Sequence, residues 1–484
     1  MNLQTLLADN TLPALELQGL AEHTAEIAPG FAFICVAAKA ATLLQHCEAA
    51  VTGGAVVLLC DAQAIPAQKL FGLAPVIPVQ DLRSERGALA ARFYADPSAT
   101  QLCVGITGTN GKTSVAYHLA DISTRLGKPM GYSGTLGWGT LDELHIADMT
   151  TGNAVALQRH LACMRDAGMS RVALEVSSHA LDQDRAAAVH FDYAIFTNLS
   201  RDHLDYHGSV EAYAAAKQKL FTRWPLKMAV INVDDEFGVR LASDCASPVV
   251  TYGKAGDWSW QTDLLVEQGD GLAVTWQTPC GDYQAQLPVV ADFAIANITA
   301  AMATLVAMGH SADEVFASLS DLRWVPGRLE VVAAPAQGPT VVVDYAHTPD
   351  ALTKVLAALR PFCRGQLICV IGCGGDRDTG KRPLMGAAAA HGSDQVWLTS
   401  DNPRSESAAD IIAAMQAGIA AADNIAVHIC EDRKEAIHQA LATAKRADVV
   451  LVAGKGHEDY QEIDGQRLPF DDRLVVQQTL QERS

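Results

Sequence analysis

Apolar positions along the chain gather in short runs that alternate with longer stretches where apolar residues recur every three or four positions, the pattern of strands followed by helices. Its grammar changes twice. The first hundred residues mix short apolar runs at 31–37 and 55–59 with alanine-rich segments. They end in a helical pattern at 85–94, broken by Asp96-Pro97-Ser98. From Gln101 the order is strand (102–106), glycine loop (107–111) and helix (112–126). Further strands are expected at 172–176, 193–197 and 228–232, a small antiparallel insert at 265–289, and an apolar helix at 293–308. After Trp324-Val325-Pro326-Gly327 a second alternation begins, with strands expected at 340–343, 367–371, 395–399, 426–430 and 449–453. Five strands alternating with helices imply a mostly parallel, doubly wound sheet that binds ligands at the strands' carboxyl ends. The expected fold is α/β in three domains: a small N-terminal α/β domain (1–98), a central domain (99–325) and a C-terminal Rossmann-like domain (326–484).

Composition narrows the function classes. At 484 residues, with 49% hydrophobic and 19% charged, the chain is long enough for several packed cores and too apolar for disorder. Thirty-six Lys and Arg against 55 Asp and Glu leave a formal charge of −19, which argues against nucleic acid and leaves room for a local anion pocket. No apolar run approaches the roughly 20 residues of a membrane span. Asp9, Glu16, Glu22 and Glu26 interrupt the N-terminal segment, so it does not read as a secretory signal and a cytoplasmic protein is expected. Eleven scattered cysteines, none spaced Cys-x-x-Cys, read as buried reduced thiols rather than a disulfide framework or zinc knuckle.

The first candidate chemistry lies in Gly105-Ile106-Thr107-Gly108-Thr109-Asn110-Gly111-Lys112-Thr113-Ser114, between a strand and a helix. Backbone N–H groups there suit phosphate oxygens, Lys112 suits the β/γ-phosphates and Thr113 suits Mg²⁺. Ile106 stands where the strict P-loop pattern has its first glycine, and a glycine-rich surface turn is the alternative. Glu175-Val176-Ser177-Ser178-His179 and the stretch Asn198 to His207, which includes His203, follow apolar strands; Asp344 ends another. Carboxylate and imidazole at strand ends suit a second divalent cation, although any one of them alone reads as a hydrogen-bonded loop residue.

Together with Gly327-Arg328-Leu329-Glu330, Asp344 to Asp350, Asp401-Asn402-Pro403-Arg404 and Gly454-Lys455-Gly456-His457-Glu458, these segments resemble the Mur ligase family. The match is dense from about residue 88 onward and weak before it. The resemblance implies a central P-loop-type ATPase domain and an ATP- and Mg²⁺-dependent amide ligase working through an acyl phosphate. It further implies addition of meso-diaminopimelate to UDP-N-acetylmuramoyl-L-alanyl-D-glutamate, in peptidoglycan precursor synthesis, by a monomer. ATP is implied at Gly108, Thr109, Asn110, Gly111, Lys112, Thr113, Ser114, Asn297, Arg328 and Asp344. Metal is implied at Thr113, Glu175, His203 and a carbamylated Lys217. On the residues alone, Lys217 is a solvated lysine of an alanine-rich helix and Lys219 an equal candidate.

The UDP-muramoyl-dipeptide is implied at Thr150, Thr151, Ser177, Gln183 and Arg185, and by position at Glu22 and Thr24. Meso-diaminopimelate is implied at Arg377, Asp401, Asn402, Pro403, Arg404, Gly454 and Glu458. For Arg404 the alternative is an exposed loop arginine paired with Glu406. The sequence departs from the family's pattern at His23-Thr24-Ala25, where Asp-Ser-Arg is usual, around Lys39 to Leu44, and at Met149 and Ala294. An altered uridine grip is therefore expected. Two other readings compete: a folylpolyglutamate-synthase-like ligase, which should lack the loops at 401–404 and 454–458, and a non-catalytic nucleotide-binding sensor.

Overall fold

The computed structural model describes residues 1–36, 40–62, 74–147, 149–264, 272–287, 291–333, 338–419 and 425–482. It separates into two compact units, residues 1–258 with 299–318 and residues 259–298 with 319–484. Lys39, at the start of the departure around Lys39 to Leu44, lies outside the described residues, as do 265–271 and 288–289 of the expected insert.

Within the first unit, strands Gly19–Ala21, Phe31–Cys35, Val57–Asp61 and Val76–Val79 form a parallel sheet. Its apolar face packs with helix Leu82–Phe93 around Leu20, Ile34, Leu59 and Leu89. The eight-stranded sheet that follows has Leu102–Thr107 near its centre, between Tyr193–Phe196 and Arg171–Glu175, all parallel. These strands are buried on both faces, which is why they read as continuous apolar runs. The expected strands fall within a residue or two of their places. The edge Met130–Gly134, Gly137–Thr140 and Glu143–His145 was not anticipated, because its glycines carry little strand signal.

Within the second unit, the insert is a three-stranded antiparallel sheet, Ser259–Leu264, Leu272–Thr278 and Gly281–Leu287, so it begins earlier than expected. The six-stranded sheet runs in the order Glu330–Ala333, Thr340–Asp344, Val449–Ala453, Leu367–Ile371, Gln395–Leu398, Ala426–Ile429. All five expected strands are there in parallel, and Glu330–Ala333 adds an antiparallel edge. A hairpin, Tyr460–Ile463 with Gln466–Pro469, follows the last parallel strand. Among the described residues no helix is long and apolar enough to cross a membrane. Cys163 and Cys280 are exposed, correcting the expectation that the thiols are buried throughout.

Candidate active site

The strand Leu102–Thr107 delivers the glycine loop to the helix Lys112–Arg125, whose N-cap Gly111 offers no side-chain cap. Gly108, at φ +152°, sits so close to the neighbouring strand that a Cβ there would meet Thr197 Oγ1 at 1.9 Å. No side chain fits, so the loop presents backbone. Asn198 clamps it from the next strand end: its Oδ1 accepts from Asn110 N (3.0 Å), its Nδ2 donates to Asn110 O (3.1 Å), and its carbonyl accepts from Thr109 N (2.8 Å). The sequence around Asn198 carries no local signal of this task. Lys112 Nζ donates to the carbonyls of Gly108 (2.9 Å) and Thr109 (2.8 Å), which holds its charge over the loop. Ser114 lies in the first turn of the helix. A backbone cradle at a helix N-terminus and one ammonium fit a polyphosphate.

Glu175 is buried at the end of its strand, and four donors converge on its carboxylate: Tyr132 OH (2.6 Å), Thr135 N (2.9 Å), Thr135 Oγ1 (3.2 Å) and Thr113 Oγ1 (3.0 Å). Among the described residues no ion pair neutralises it. A buried carboxylate beside a threonine hydroxyl fits a hard divalent cation. His203 has a positive φ of 53°. Burial pushes its imidazole below its ordinary range, with Lys112 and Lys217 adding to the shift against the pull of Asp202 (3.4 Å), which favours a neutral ring able to ligate. Among the described residues no three His, Cys, Asp or Glu side chains stand close enough to hold a metal by themselves.

The helix Val210–Thr222 decides between the two candidate lysines. Lys217 is 1% exposed, and its Nζ donates to Gly108 O (2.7 Å) and lies 4.4 Å from the centre of the Tyr213 ring. Lys219 turns outward to Asp182 (3.0 Å). Loss of hydration drives the Lys217 amine well below its ordinary range, and the Lys112 charge drives it further. The solvated-lysine alternative for Lys217 is therefore replaced by a buried amine against the phosphate loop.

The residues expected around the muramoyl substrate converge on the same strand end. Thr151 Oγ1 donates to Glu175 O (2.8 Å) and accepts from Ser177 N (3.0 Å), and Thr150 meets Thr135 (3.2 Å). Arg185 donates to Thr151 O (3.1 Å) and to Gln183 Oε1 (2.8 and 2.5 Å), with Met149 Sδ also in reach at 3.3 Å. Glu22 differs. Its carboxylate is covered, paired with Arg86 (3.2 Å) and accepting from Val155 N (2.8 Å), so it ties helices together. Burial raises its pKa against the pull of Arg86. Thr24 opens a short 3-10 turn capped by His23 Nδ1, which accepts from Ala25 N (3.3 Å).

In the second unit, Asp344 ends its strand buried. Its Oδ2 accepts from Leu329 N (2.6 Å) and its Oδ1 from Ala346 N (2.7 Å), which fixes the turn bearing Arg328. Burial raises its carboxyl while Arg328 pulls it down. Arg328 lies 4.4 Å from the centre of the Tyr345 ring. Asn297 is buried on helix Asp292–Ala307.

The loops after Gln395–Leu398 and Val449–Ala453 meet. Gly454, at φ +111°, faces Asp401, and a Cβ there would stand 2.7 Å from Asp401 Oδ2. Asn402 Nδ2 donates to Glu458 Oε2 (2.8 Å), and Lys455 Nζ donates to the same oxygen (2.9 Å) and to Asn402 Oδ1 (3.0 Å). Arg404, following Pro403, takes φ +54°. Backbone bonds with the hairpin hold it there: Arg404 N to Glu462 O (2.9 Å) and Asp464 N to Arg404 O (2.8 Å). Its Nη1 donates to Gly375 O (2.7 Å) and its Nε stands 3.4 Å from Glu462. The expected alternative pairing with Glu406 does not occur, because Arg382 takes that carboxylate at 2.8 Å. Arg377 is exposed, and its Nη1 donates to the Asp376 carbonyl (3.2 Å). Sequence reasoning also missed Arg433. Wholly buried, it grips Asp472 with two nitrogens (2.8 and 2.7 Å) and donates to Ser400 O (3.2 Å) and Ala453 O (2.9 Å), bracing both loops at their roots.

Comparison with known proteins places this geometry. The Mur ligase middle domain matches residues 106–305, and the Mur ligase glutamate ligase domain matches residues 327–456. The UDP-N-acetylmuramoyl-L-alanyl-D-glutamate–2,6-diaminopimelate ligase of Pseudomonas aeruginosa is 45% identical over 92% of this chain and 91% of its own. A solved structure of a ligase of that name superposes with a TM-score of 0.68 at 32% identity, covering 100% of this chain and 99% of the other. The folylpolyglutamate synthase of Mycobacterium tuberculosis shares the fold at 21% identity and a TM-score of 0.62, over 76% of this chain and 92% of its own. The chain is an enzyme of α/β architecture and belongs to the Mur ligase family.

Proposed function

We propose that the protein joins meso-diaminopimelate to the D-glutamate of UDP-N-acetylmuramoyl-L-alanyl-D-glutamate, using ATP and Mg²⁺. Three functional parts serve it: residues 1–98 for the UDP end, 99–325 for ATP and 326–484 for the amino acid. The strands of the three main sheets fall separately within these ranges. The observation that carries the reading is the joining of the loops at 401–404 and 454–458, which the folylpolyglutamate-synthase alternative should lack. Relatives named for the diaminopimelate reaction support it.

A carboxylate is a poor acyl acceptor until one of its oxygens becomes a leaving group. Bound ATP supplies the phosphoryl group for that conversion, and Mg²⁺ supplies charge against the anions brought together. The chain does the rest. The loop Gly108 to Gly111, its Thr109 and Asn110 N–H groups fixed by Asn198, wraps the phosphate at the helix N-terminus, and Lys112 adds a positive charge. Thr113 and Glu175 offer oxygen ligands, and His203 a neutral nitrogen. Lys217 as an ammonium would oppose a cation, whereas its depressed basicity favours the free amine that reacts with CO₂, giving a carbamate oxygen ligand. Thr150, Thr151, Ser177, Gln183 and Arg185 position the dipeptide end. Asn297, Arg328 and Asp344 serve the nucleotide. Arg404 takes the distal carboxylate of the diamino acid, with Arg377 as a second anion contact, and Asp401, Asn402 and Pro403 shape that loop. Gly454 O and Glu458 receive the distal ammonium.

The test is single-turnover ligation with both substrates and ATP, reading ADP and amide product together. Amide formation dependent on both substrates is expected. Nucleotide binding with no amide product would return the protein to the sensor reading.

A further inference from the structure

Lys455 is 0% exposed, and no role has been assigned to it. A buried ammonium needs partners, and this one has two chosen acceptors: Asn402 Oδ1 (3.0 Å) and Glu458 Oε2 (2.9 Å). Their arrangement is directional. Asn402 Oδ1 accepts from Lys455 and also from Glu462 N (2.9 Å), which fixes the orientation of its amide. Its Nδ2 is thereby aimed at Glu458 Oε2 (2.8 Å). Glu458 Oε2 thus carries two donors, one of them charged. Among the described residues Oε1 of the same carboxylate accepts none.

The scaffold behind the three side chains is cross-linked by hydrogen bonds. Arg433 and Asp472 brace the backbone just before Asp401 and Gly454, and Gln461 Nε2 donates to Ser400 Oγ (2.8 Å) and Asp401 O (2.7 Å).

Resting on the diaminopimelate reading above, we infer that Lys455 is a positioning residue for the incoming amino acid: by occupying Glu458 Oε2 and orienting Asn402, it presents Glu458 Oε1 to the amino acid's ammonium. Without Lys455, Asn402 Oδ1 keeps only the Glu462 N–H of its two donors and Glu458 Oε2 keeps only Asn402 Nδ2, so Glu458 loses its charged anchor and gains freedom to turn. The carboxylate of Glu458 then no longer meets the substrate from a fixed direction.

Lys455→Met keeps the stem's volume and removes the charge; Lys455→Gln keeps a donor without the charge. The probe is meso-diaminopimelate, with hydroxylamine as a small nucleophile that traps the acyl phosphate as a hydroxamate without using the amino-acid site. In either variant KM for meso-diaminopimelate should rise tenfold or more, while hydroxamate formation from ATP and the UDP-muramoyl-dipeptide stays within twofold of the unmutated rate. Unchanged KM overturns the inference. So does an equal loss of both reactions in a folded variant, which would make Lys455 merely structural. If the unmutated protein forms neither hydroxamate nor amide, the proposed function fails instead. Should neither variant fold, the complex of the unmutated protein with meso-diaminopimelate decides: an amino nitrogen within hydrogen-bond distance of Glu458 Oε1 is expected, and its absence there overturns the inference.

Discussion

Lys217 and Lys455 are both buried lysines of one chain, and they differ in what faces them. Around Lys217 the acceptor is a backbone carbonyl, and burial together with the Lys112 ammonium drives the amine well below its ordinary range against the pull of Asp202. Around Lys455 stand a carboxylate and an amide oxygen at 2.9 and 3.0 Å. Burial is therefore no guide to a lysine's task. Set against a backbone loop where the Lys112 charge outweighs the pull of Asp202, the side chain is driven towards the free amine; set between a carboxylate and an amide oxygen, it is held as a donor. The same contrast separates the two candidate sites, one built to gather charge from a substrate and one already balanced and waiting for a defined shape.

Lys112→Ala breaks the charge-gathering side most severely. Loss of the phosphate-facing ammonium should cost about 3 kcal/mol or more of transition-state stabilisation, roughly a hundredfold in kcat. Steady-state ATP turnover checks it, and near-normal kcat would remove the phosphate loop from the mechanism. Lys217→Ala tests the reactive lysine itself. We expect activity to fall at least tenfold, and bicarbonate to restore rate to CO₂-depleted unmutated enzyme but not to the variant. Full activity in the variant, or indifference to CO₂, would leave Lys217 as packing only.

Arg404→Ala addresses the balanced side. Its guanidinium is held at Gly375 O and near Glu462, in a left-handed backbone conformation that costs about 1 kcal/mol or more in a residue other than glycine. Its removal should leave the ATP KM alone and erase most of the preference for meso-diaminopimelate over lysine. A preserved preference would assign the carboxylate elsewhere.

The smallest effect is expected where the family's pattern is weakest. Restoring Asp-Ser-Arg by His23→Asp, Thr24→Ser and Ala25→Arg keeps a capping acceptor at residue 23, so the turn should survive. Uniform binding of the UDP end should improve, lowering KM a few-fold with kcat nearly unchanged. An unaltered KM would mean that this turn never touches nucleotide.

How far the sequence could be read follows the same division. The phosphate loop and the loops at 401–404 and 454–458 were legible because spacing within a few residues dictates their chemistry and apolar strands announce where they sit. Lys217 was not separable from Lys219, since an alanine-rich helix shows no face until Tyr213 and the phosphate loop cover one side of it. Glu22 was misleading: position alone offered it to uridine, and its pairing with Arg86 depends on a distant helix. Arg433 and Asp472 left no trace, because a buried ion pair joined between two helices far apart in sequence has no local pattern. Lys455 stood inside a recognised motif, yet only the two acceptors around it reveal what it does.

One competition measures the identity of the amino acid joined. Purified protein is given ATP, Mg²⁺, UDP-N-acetylmuramoyl-L-alanyl-D-glutamate and equal concentrations of meso-diaminopimelate and lysine, and the products are weighed by mass spectrometry. Because an analogue lacking the distal carboxylate leaves the Arg404 guanidinium without its partner, the expected product carries diaminopimelate with lysine below about one part in a thousand. Comparable amounts of the two products would contradict the substrate assignment while leaving the ligase chemistry in place.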